Sequence, residues 1–136
     1  MFSRKDLLNI TLTAAQTAQV YGPFALPPTC GGLTLEGQMV YGSSGTTAKA
    51  WVQTSLDGGD TWLDIACFAF TTATKQRVCN LRANTVVTTL ATPVDGSLAD
   101  DTAVDGLLGD RIRVKLTSTG TYAGSTTVRV TAQPKL

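Results

Sequence analysis

The chain of 136 residues contains no histidine and only three cysteines. The lack of histidine excludes Ser-His-Asp and Cys-His nucleophile systems and every metal site with an imidazole ligand. Cys30, Cys67 and Cys79 form no Cys-x-x-Cys pair, and their odd number argues against a disulfide scaffold. Cys67 lies in the apolar run DIACFAF and is predicted to be a small buried hydrophobic residue. A Cys67–Cys79 bridge across a hairpin stays open as the less favoured alternative.

Charge is scarce as well. Charged residues make up 15% of the chain and the net charge is +1, so we expect no global field that attracts nucleic acid or an anionic membrane. The uncharged span 7–35 is too rich in Thr, Gln and Pro for a membrane helix. The leader MFSRKDLLNITLTAAQ has the cations of a signal peptide, but polar residues interrupt its hydrophobic region. We therefore expect synthesis in the cytoplasm.

Threonine (23 residues) and glycine (13 residues) are abundant, and this composition favours strands joined by turns. Alternation of apolar and polar residues at period two is the dominant pattern. The residues predicted to face inward in the last two strands are Ile112, Val114, Leu116, Val128, Val130 and Ala132. Gly37 is predicted to mark a bulge or a close approach of the backbone. The run 61–70 is apolar on both faces except at Asp64, which is typical of a central strand. The predicted strands lie within residues 9–14, 18–26, 33–42, 47–56, 61–70, 75–81, 85–90, 110–120 and 126–133.

No amphipathic helical segment of useful length accompanies these strands. About eight short strands with glycine-rich turns predict an all-β antiparallel sandwich of the jelly-roll or immunoglobulin-like type. We expect residues 1–7 to form a flexible N-terminal arm and residues 8–136 to form a single sandwich domain.

The segment SLDGGDTW, residues 55–62, has the chemistry of a tight hairpin. The Asp57 carboxylate can accept backbone N–H groups, Gly58 and Gly59 can adopt positive φ, and Trp62 can fold over the turn. With Ser55, these residues resemble the Asp box of sialidases and other β-propellers. In those families the motif is a folding device away from the catalytic pocket. A propeller needs several copies, and this chain has one, so the resemblance implies a structural hairpin.

Residues 95–110 carry five carboxylates in one predicted loop, at Asp95, Asp100, Asp101, Asp105 and Asp110. Such a loop could hold calcium, but its spacing is not that of an EF-hand. Pairs of these carboxylates, or Asp57 with Asp64, could also serve a glycosidase. We favour a loop that is solvated or ordered by a partner, with no metal and no cofactor.

A basic strand face follows the acidic loop, formed by Arg111, Arg113 and Lys115, with Arg129 expected on the neighbouring strand. Two readings stay open: a solvated face that protects an edge, or electrostatic docking of one copy's acidic loop on another copy or another protein. Nucleic acid is disfavoured because this face lacks interleaved aromatic residues.

The N-terminal segment MFSRKD adds a second candidate contact surface. It combines Phe2 with the cations Arg4 and Lys5, and it precedes the first predicted strand. The segment either frays or lies on a neighbouring subunit.

The segments YGPFALP, YGSSGTTAKAWVQTSLDGGDTWLDIACFAFTTATKQRVCNL and DGSLADDTAVDGLLGDRIRVKLTSTGTYAGSTTVRVTA resemble small structural proteins of tailed bacteriophages and prophages. The resemblance implies a virion component without an active site, most simply a capsid decoration (cement) protein on the capsid exterior. Its implied partners are the major capsid protein and copies of itself, in trimers or dimers.

Two other functions remain in view. A head–tail neck or tail component differs from a decoration protein in its copy number. A carbohydrate-binding adhesion module with weak glycan affinity would need exposed aromatic rings, for which Trp51 and Trp62 are candidates, although core packing is the commoner fate of such rings.

Overall fold

The computed structural model describes residues 4–136, which form ten strands. All strand pairs are antiparallel. The same residues contain no helix long and apolar enough to cross a membrane. The strands are β1 (Lys5–Thr11), β2 (Gln19–Ala25), β3 (Gly32–Val40), β4 (Ser43–Ser44), β5 (Thr47–Ser55), β6 (Leu63–Phe70), β7 (Lys75–Arg82), β8 (Arg111–Thr119), β9 (Tyr122–Ala123) and β10 (Thr127–Lys135).

Eight of these strands build two four-stranded sheets, in the orders β1-β10-β3-β7 and β2-β8-β5-β6. We call them sheet A and sheet B. Leaving out the short strands β4 and β9, the first strand pairs with the last, the second with the second last, and so on inward to the β5–β6 hairpin. This is the pairing of one long hairpin rolled into two sheets. The sandwich is therefore a jelly roll, the first of the two predicted types.

The core lies between the sheets and follows the period-two pattern. The predicted inward residues of β8 and β10 are fully buried, among them Ile112, Val114, Val128 and Val130. Gly37 sits in unbroken register between β7 and β10, so it forms no bulge. Instead a Cβ atom at Gly37 would lie 2.4 Å from the Phe68 ring. The predicted close approach is thus confirmed, and it lies between β3 of sheet A and β6 at the edge of sheet B.

Three sequence predictions are wrong. β1 begins at Lys5 and Leu7 is buried, so residues 5–7 belong to sheet A rather than to an arm. Residues 85–90 form no strand, because no neighbouring strand pairs with them. β6 is an edge strand and not a central one, although all of its residues are buried. The reason is a loop that covers its outer side.

Candidate interaction surface

The hairpin 55–62 is built as its sequence predicts. The Thr61 N–H and O–H donate to the Asp57 carboxylate at 2.9 and 2.6 Å, and the Ser55 hydroxyl donates to it at 2.8 Å. These hydrogen bonds, the one from the Thr61 side chain foremost, lower the pKa of Asp57 to about 2. Gly58 and Gly59 have φ of 76° and 103°. The carboxylate is therefore part of the turn.

Trp62 closes this hairpin on one side. Its ring N–H donates to the Gly59 carbonyl at 3.1 Å, and the Arg113 guanidinium lies 4.3 Å from the ring centroid. This cation–π contact links the hairpin to β8 of the same sheet. Trp62 therefore stabilises the hairpin and its contact with β8.

Residues 94–104 run along the free edge of β6, and we call them the covering segment. The backbone N–H groups of Asp64 and Cys67 donate to Val94 and Thr102, and the Val104 N–H donates back to Ile65. A β6 edge that would otherwise be open is thereby paired. The segment also crosses the outer face of sheet B, where the Trp51 ring N–H donates to the Leu98 carbonyl at 3.1 Å. Trp51 is only 7% exposed, so it offers no platform for a sugar.

Asp64 anchors the covering segment. Its carboxylate is 2% exposed and accepts the backbone N–H groups of Gly96, Ser97 and Leu98 at 2.9 to 3.0 Å. The fully buried Gln53 amide donates to the same carboxylate at 2.7 Å and to Asp95 at 2.6 Å. A buried carboxylate is tolerable only when it is hydrogen-bonded in this way. The period-two pattern gave no sign of this role.

All five carboxylates of residues 95–110 bind groups of the same chain. Lys115 pairs with Asp95, Lys49 with Asp100, Lys75 and Arg77 with Asp101, and Arg111 with Asp110. Asp105 accepts the Arg82 backbone N–H at 2.6 Å and the Thr85 hydroxyl at 2.8 Å. Within residues 4–136, no three or more acidic or cysteine side chains are grouped as metal ligands. The acidic side chains are therefore paired within the chain, while those of Asp95, Asp100 and Asp110 stay 47%, 56% and 67% exposed, so the loop is ordered by its own chain and remains in contact with solvent.

These contacts also shift the pKa values of the acidic groups. Burial raises the pKa of Asp95 and of Asp101, but hydrogen bonds outweigh it, and both pKa values end below the ordinary one. Lys115 and Gln53 donate to Asp95, while Lys75 and the Ala69 N–H donate to Asp101. The covering segment is thus held by charged carboxylates.

The predicted basic face does not form as one patch. Arg111, Arg113 and Lys115 lie on β8 in sheet B, whereas Arg129 lies on β10 in sheet A, where it pairs with Glu36 at 2.7 Å. Arg113 donates to Gln53 at 2.8 Å and Lys115 binds Asp95. The acidic residues thus pair with cations on β5, β7 and β8 of their own chain, and the basic strand β8 offers less charge to a second molecule than the sequence indicates.

The remaining sequence candidates lie at the N-terminus and at the cysteines. Phe2 falls outside the described residues; Arg4 lies 3.4 Å from Asp6, and Lys5 sits 5.3 Å from the centre of the Phe24 ring. All three cysteines are free. Cys67 is buried as predicted, and burial raises its pKa to about 11.

An exposed apolar surface was missed by the sequence interpretation. Leu90, Leu56 and Val87 are 97%, 65% and 44% exposed and lie around one groove, and Val86, which is 82% exposed, adjoins Val87 in the chain. We call these four residues the apical patch, because they lie at the end of the sandwich where β5 and β7 end. Leu56, Val87 and Leu90 line an apolar groove of about 300 Å³, whose floor includes Leu63 and Val104. The sequence does carry a signal: residues 83–94 contain no charged residue, although their central part, residues 85–90, is predicted to be a strand.

Comparison of the chain with protein-family models, with curated proteins and with solved structures finds no significant match.

Proposed function

We propose that this chain is a structural virion protein of a tailed bacteriophage, of the capsid decoration type, and that it performs no catalysis. It binds the major capsid protein on the capsid exterior and associates with copies of itself. The apical patch is the surface we assign to the capsid. The protein needs no cofactor for this role, because it would stabilise the capsid shell through contact area that is repeated over many symmetry-related copies.

The apical patch is the observation that carries this proposal. Large side chains exposed together around an apolar groove are typical of a protein contact site, and Leu90 is the most exposed residue of the patch. The neighbouring segment 83–94 is uncharged, so contact with a partner displaces water without leaving a buried charge unpaired.

The use of the carboxylates supports a structural role over an enzymatic one. The pair Asp57 and Asp64, considered from sequence as an acid and a base, is divided between two tasks. Asp57 holds the hairpin, and Asp64 is enclosed by N–H donors of the covering segment. The jelly roll recurs in viral capsid proteins and in lectins, which agrees with either a virion or a binding role.

The proposal is tested on purified particles. Quantitative mass spectrometry should find the chain in numbers comparable to those of the major capsid protein. A chain absent from the particles refutes the virion role, and a far smaller number favours the neck or tail alternative.

A binding experiment tests the apical patch directly. Leu90→Asp should weaken binding to particles that lack the protein by roughly tenfold or more, because a charge would enter an apolar contact. Val40→Asp is the matched control, since Val40 is 49% exposed and lies at the other end of β3, away from the patch. Equal binding by both variants contradicts the assignment of the patch.

An adhesion module remains the second candidate, and Trp62 is the aromatic residue that could serve it. Trp62 is half-buried and lines a shallow surface depression with Asp60 and Arg113. Glycan binding that is lost in Trp62→Ala, with the fold intact, would favour this function instead.

A further inference from the structure

The two sheets have four edge strands, and three of these edges are either covered or irregular. Residues of the covering segment pair with β6. Pro23 lacks an N–H group and interrupts the register of β2, and a bulge between Asp6 and Leu8 interrupts β1. Prolines, bulges and covering loops are the devices by which proteins prevent edge-to-edge pairing. β7 carries neither a proline nor a bulge, and loop residues 105 and 106 cover only its Arg82 end.

β7 is a regular edge. It pairs with β3 in unbroken register from Lys75 to Arg82 and contains neither proline nor glycine. The Arg82 N–H donates to Asp105 and its carbonyl accepts from Gly106, so both groups point away from β3. Because backbone groups alternate along an antiparallel strand, those of Gln76, Val78 and Asn80 point the same way. Among the described residues, nothing bonds to these backbone groups on that side.

We propose that β7 of one copy pairs antiparallel with β7 of a second copy, about a two-fold axis through Val78. This inference specifies the self-association in the proposed function, although its evidence is the sheet edge alone. In this register Val78 faces Val78, and Gln76 faces Asn80. Each of these pairs exchanges two backbone hydrogen bonds, and the two A sheets become one continuous sheet.

The sequence of β7 suits a second copy as its partner. Val78 is 67% exposed on the outer face, so the axis places two apolar β-branched side chains opposite each other. On the inner face Arg77 meets Cys79, and Lys75 meets Leu81. No like charges face each other directly. The two Arg77 side chains reach only diagonal positions, and each is already paired with Asp101 of its own chain at 3.3 Å.

Sedimentation velocity of the full-length chain over a concentration series tests the proposal. The wild-type chain should form dimers. Val78→Pro should dimerise roughly 25-fold more weakly, because it loses two hydrogen bonds that each contribute about a factor of five. It removes no hydrogen bond within the sheet, since this N–H faces away from β3. Val78→Thr is the matched control that keeps the N–H and should dimerise like the wild type.

Charge substitutions test the register. Val78→Lys and Val78→Glu should each be monomeric, because like charges would face each other at the axis. An equimolar mixture of the two variants should form heterodimers. If the mixture stays monomeric while the wild type dimerises, the axis through Val78 is wrong.

The outcomes separate this inference from the proposed function. A wild-type chain that stays monomeric, or a Val78→Pro variant that dimerises as tightly as the wild type, overturns the β7 pairing. Binding of a monomeric chain to particles would leave the capsid role intact. A dimer that never occurs in particles would refute the capsid role and leave the pairing.

Discussion

Aspartate performs two different structural tasks in this protein, and the local backbone decides which. Asp57 is fully exposed and accepts hydrogen bonds from its own turn, so its effect is confined to the hairpin. Asp64 is buried and accepts hydrogen bonds from a segment more than thirty residues away in sequence. The same side chain therefore stabilises a local turn in one case and a tertiary contact in the other.

The depressed pKa of Asp57 predicts a pH-dependent effect of Asp57→Asn. The pKa in the folded protein is about 2 against an ordinary value of 3.8, so the charged form stabilises the fold. That stabilisation is present above pH 3.8 and is lost as the pH falls towards 2. The variant should therefore be less stable than the wild type at neutral pH, and the difference should shrink below pH 4. Urea unfolding at a series of pH values measures this.

Asp60→Asn is the control for this hairpin. Asp60 lies in the same turn, and the described contacts give its carboxylate no hydrogen-bond donor. Its replacement should change the free energy of unfolding by less than about 0.5 kcal/mol at neutral pH. Equal losses of stability in the two variants at neutral pH would show that the Asp57 contacts do not stabilise the hairpin.

The covering segment explains why β6 reads as a central strand in sequence although it lies at an edge. A strand whose two faces and free edge are all covered carries mostly apolar side chains on both faces. Its outer face lies beneath residues 94–104, and its inner face lies in the core. An irregular segment thus takes the place of a further strand.

Removal of the anchor of this segment should be costly. Asp64→Ala removes the acceptor of three backbone N–H groups of the covering segment and of the fully buried Gln53 amide, and we expect a loss of about 3 kcal/mol in the free energy of unfolding. Hydrogen exchange of the Cys67 amide, which donates to Thr102, should also accelerate. Urea unfolding and exchange measurements by NMR check both effects.

Asp100→Ala provides the comparison on the same segment. The Asp100–Lys49 pair is solvent-exposed, with side-chain exposures of 56% and 37%, so its loss should cost less than about 1 kcal/mol. If Asp100→Ala destabilises the protein as much as Asp64→Ala, surface ion pairs and not the buried anchor hold the segment.

The two sheets are held at a short separation where Gly37 of sheet A meets the Phe68 ring of sheet B. An added methyl group would lie 2.4 Å from that ring, so one of the sheets must shift. This contact lies between strands that are distant in the chain, and it sets how closely the core can pack.

Gly37→Ala should therefore lower the free energy of unfolding by about 2 kcal/mol through overpacking. Thr34→Ala on the outer face of the same strand is the control, and we expect a loss of less than about 1 kcal/mol there. Thermal and urea unfolding measure both. A Gly37→Ala variant as stable as Thr34→Ala would mean that the sheets separate without cost at this point.

The sequence by itself determined the all-β class, most strand positions, the inward residues of β8 and β10, and the Asp57 hairpin. These features depend on period-two alternation and on turn chemistry, which act between residues close in the chain. Tertiary structure alone decided the jelly-roll order, the edge position of β6, the internal pairing of the acidic loop and the exposure of Leu90. Each of these features depends on residues that are far apart in sequence. The alternation of apolar and polar residues predicts which face of a strand is buried, but it does not identify the segment that covers that face.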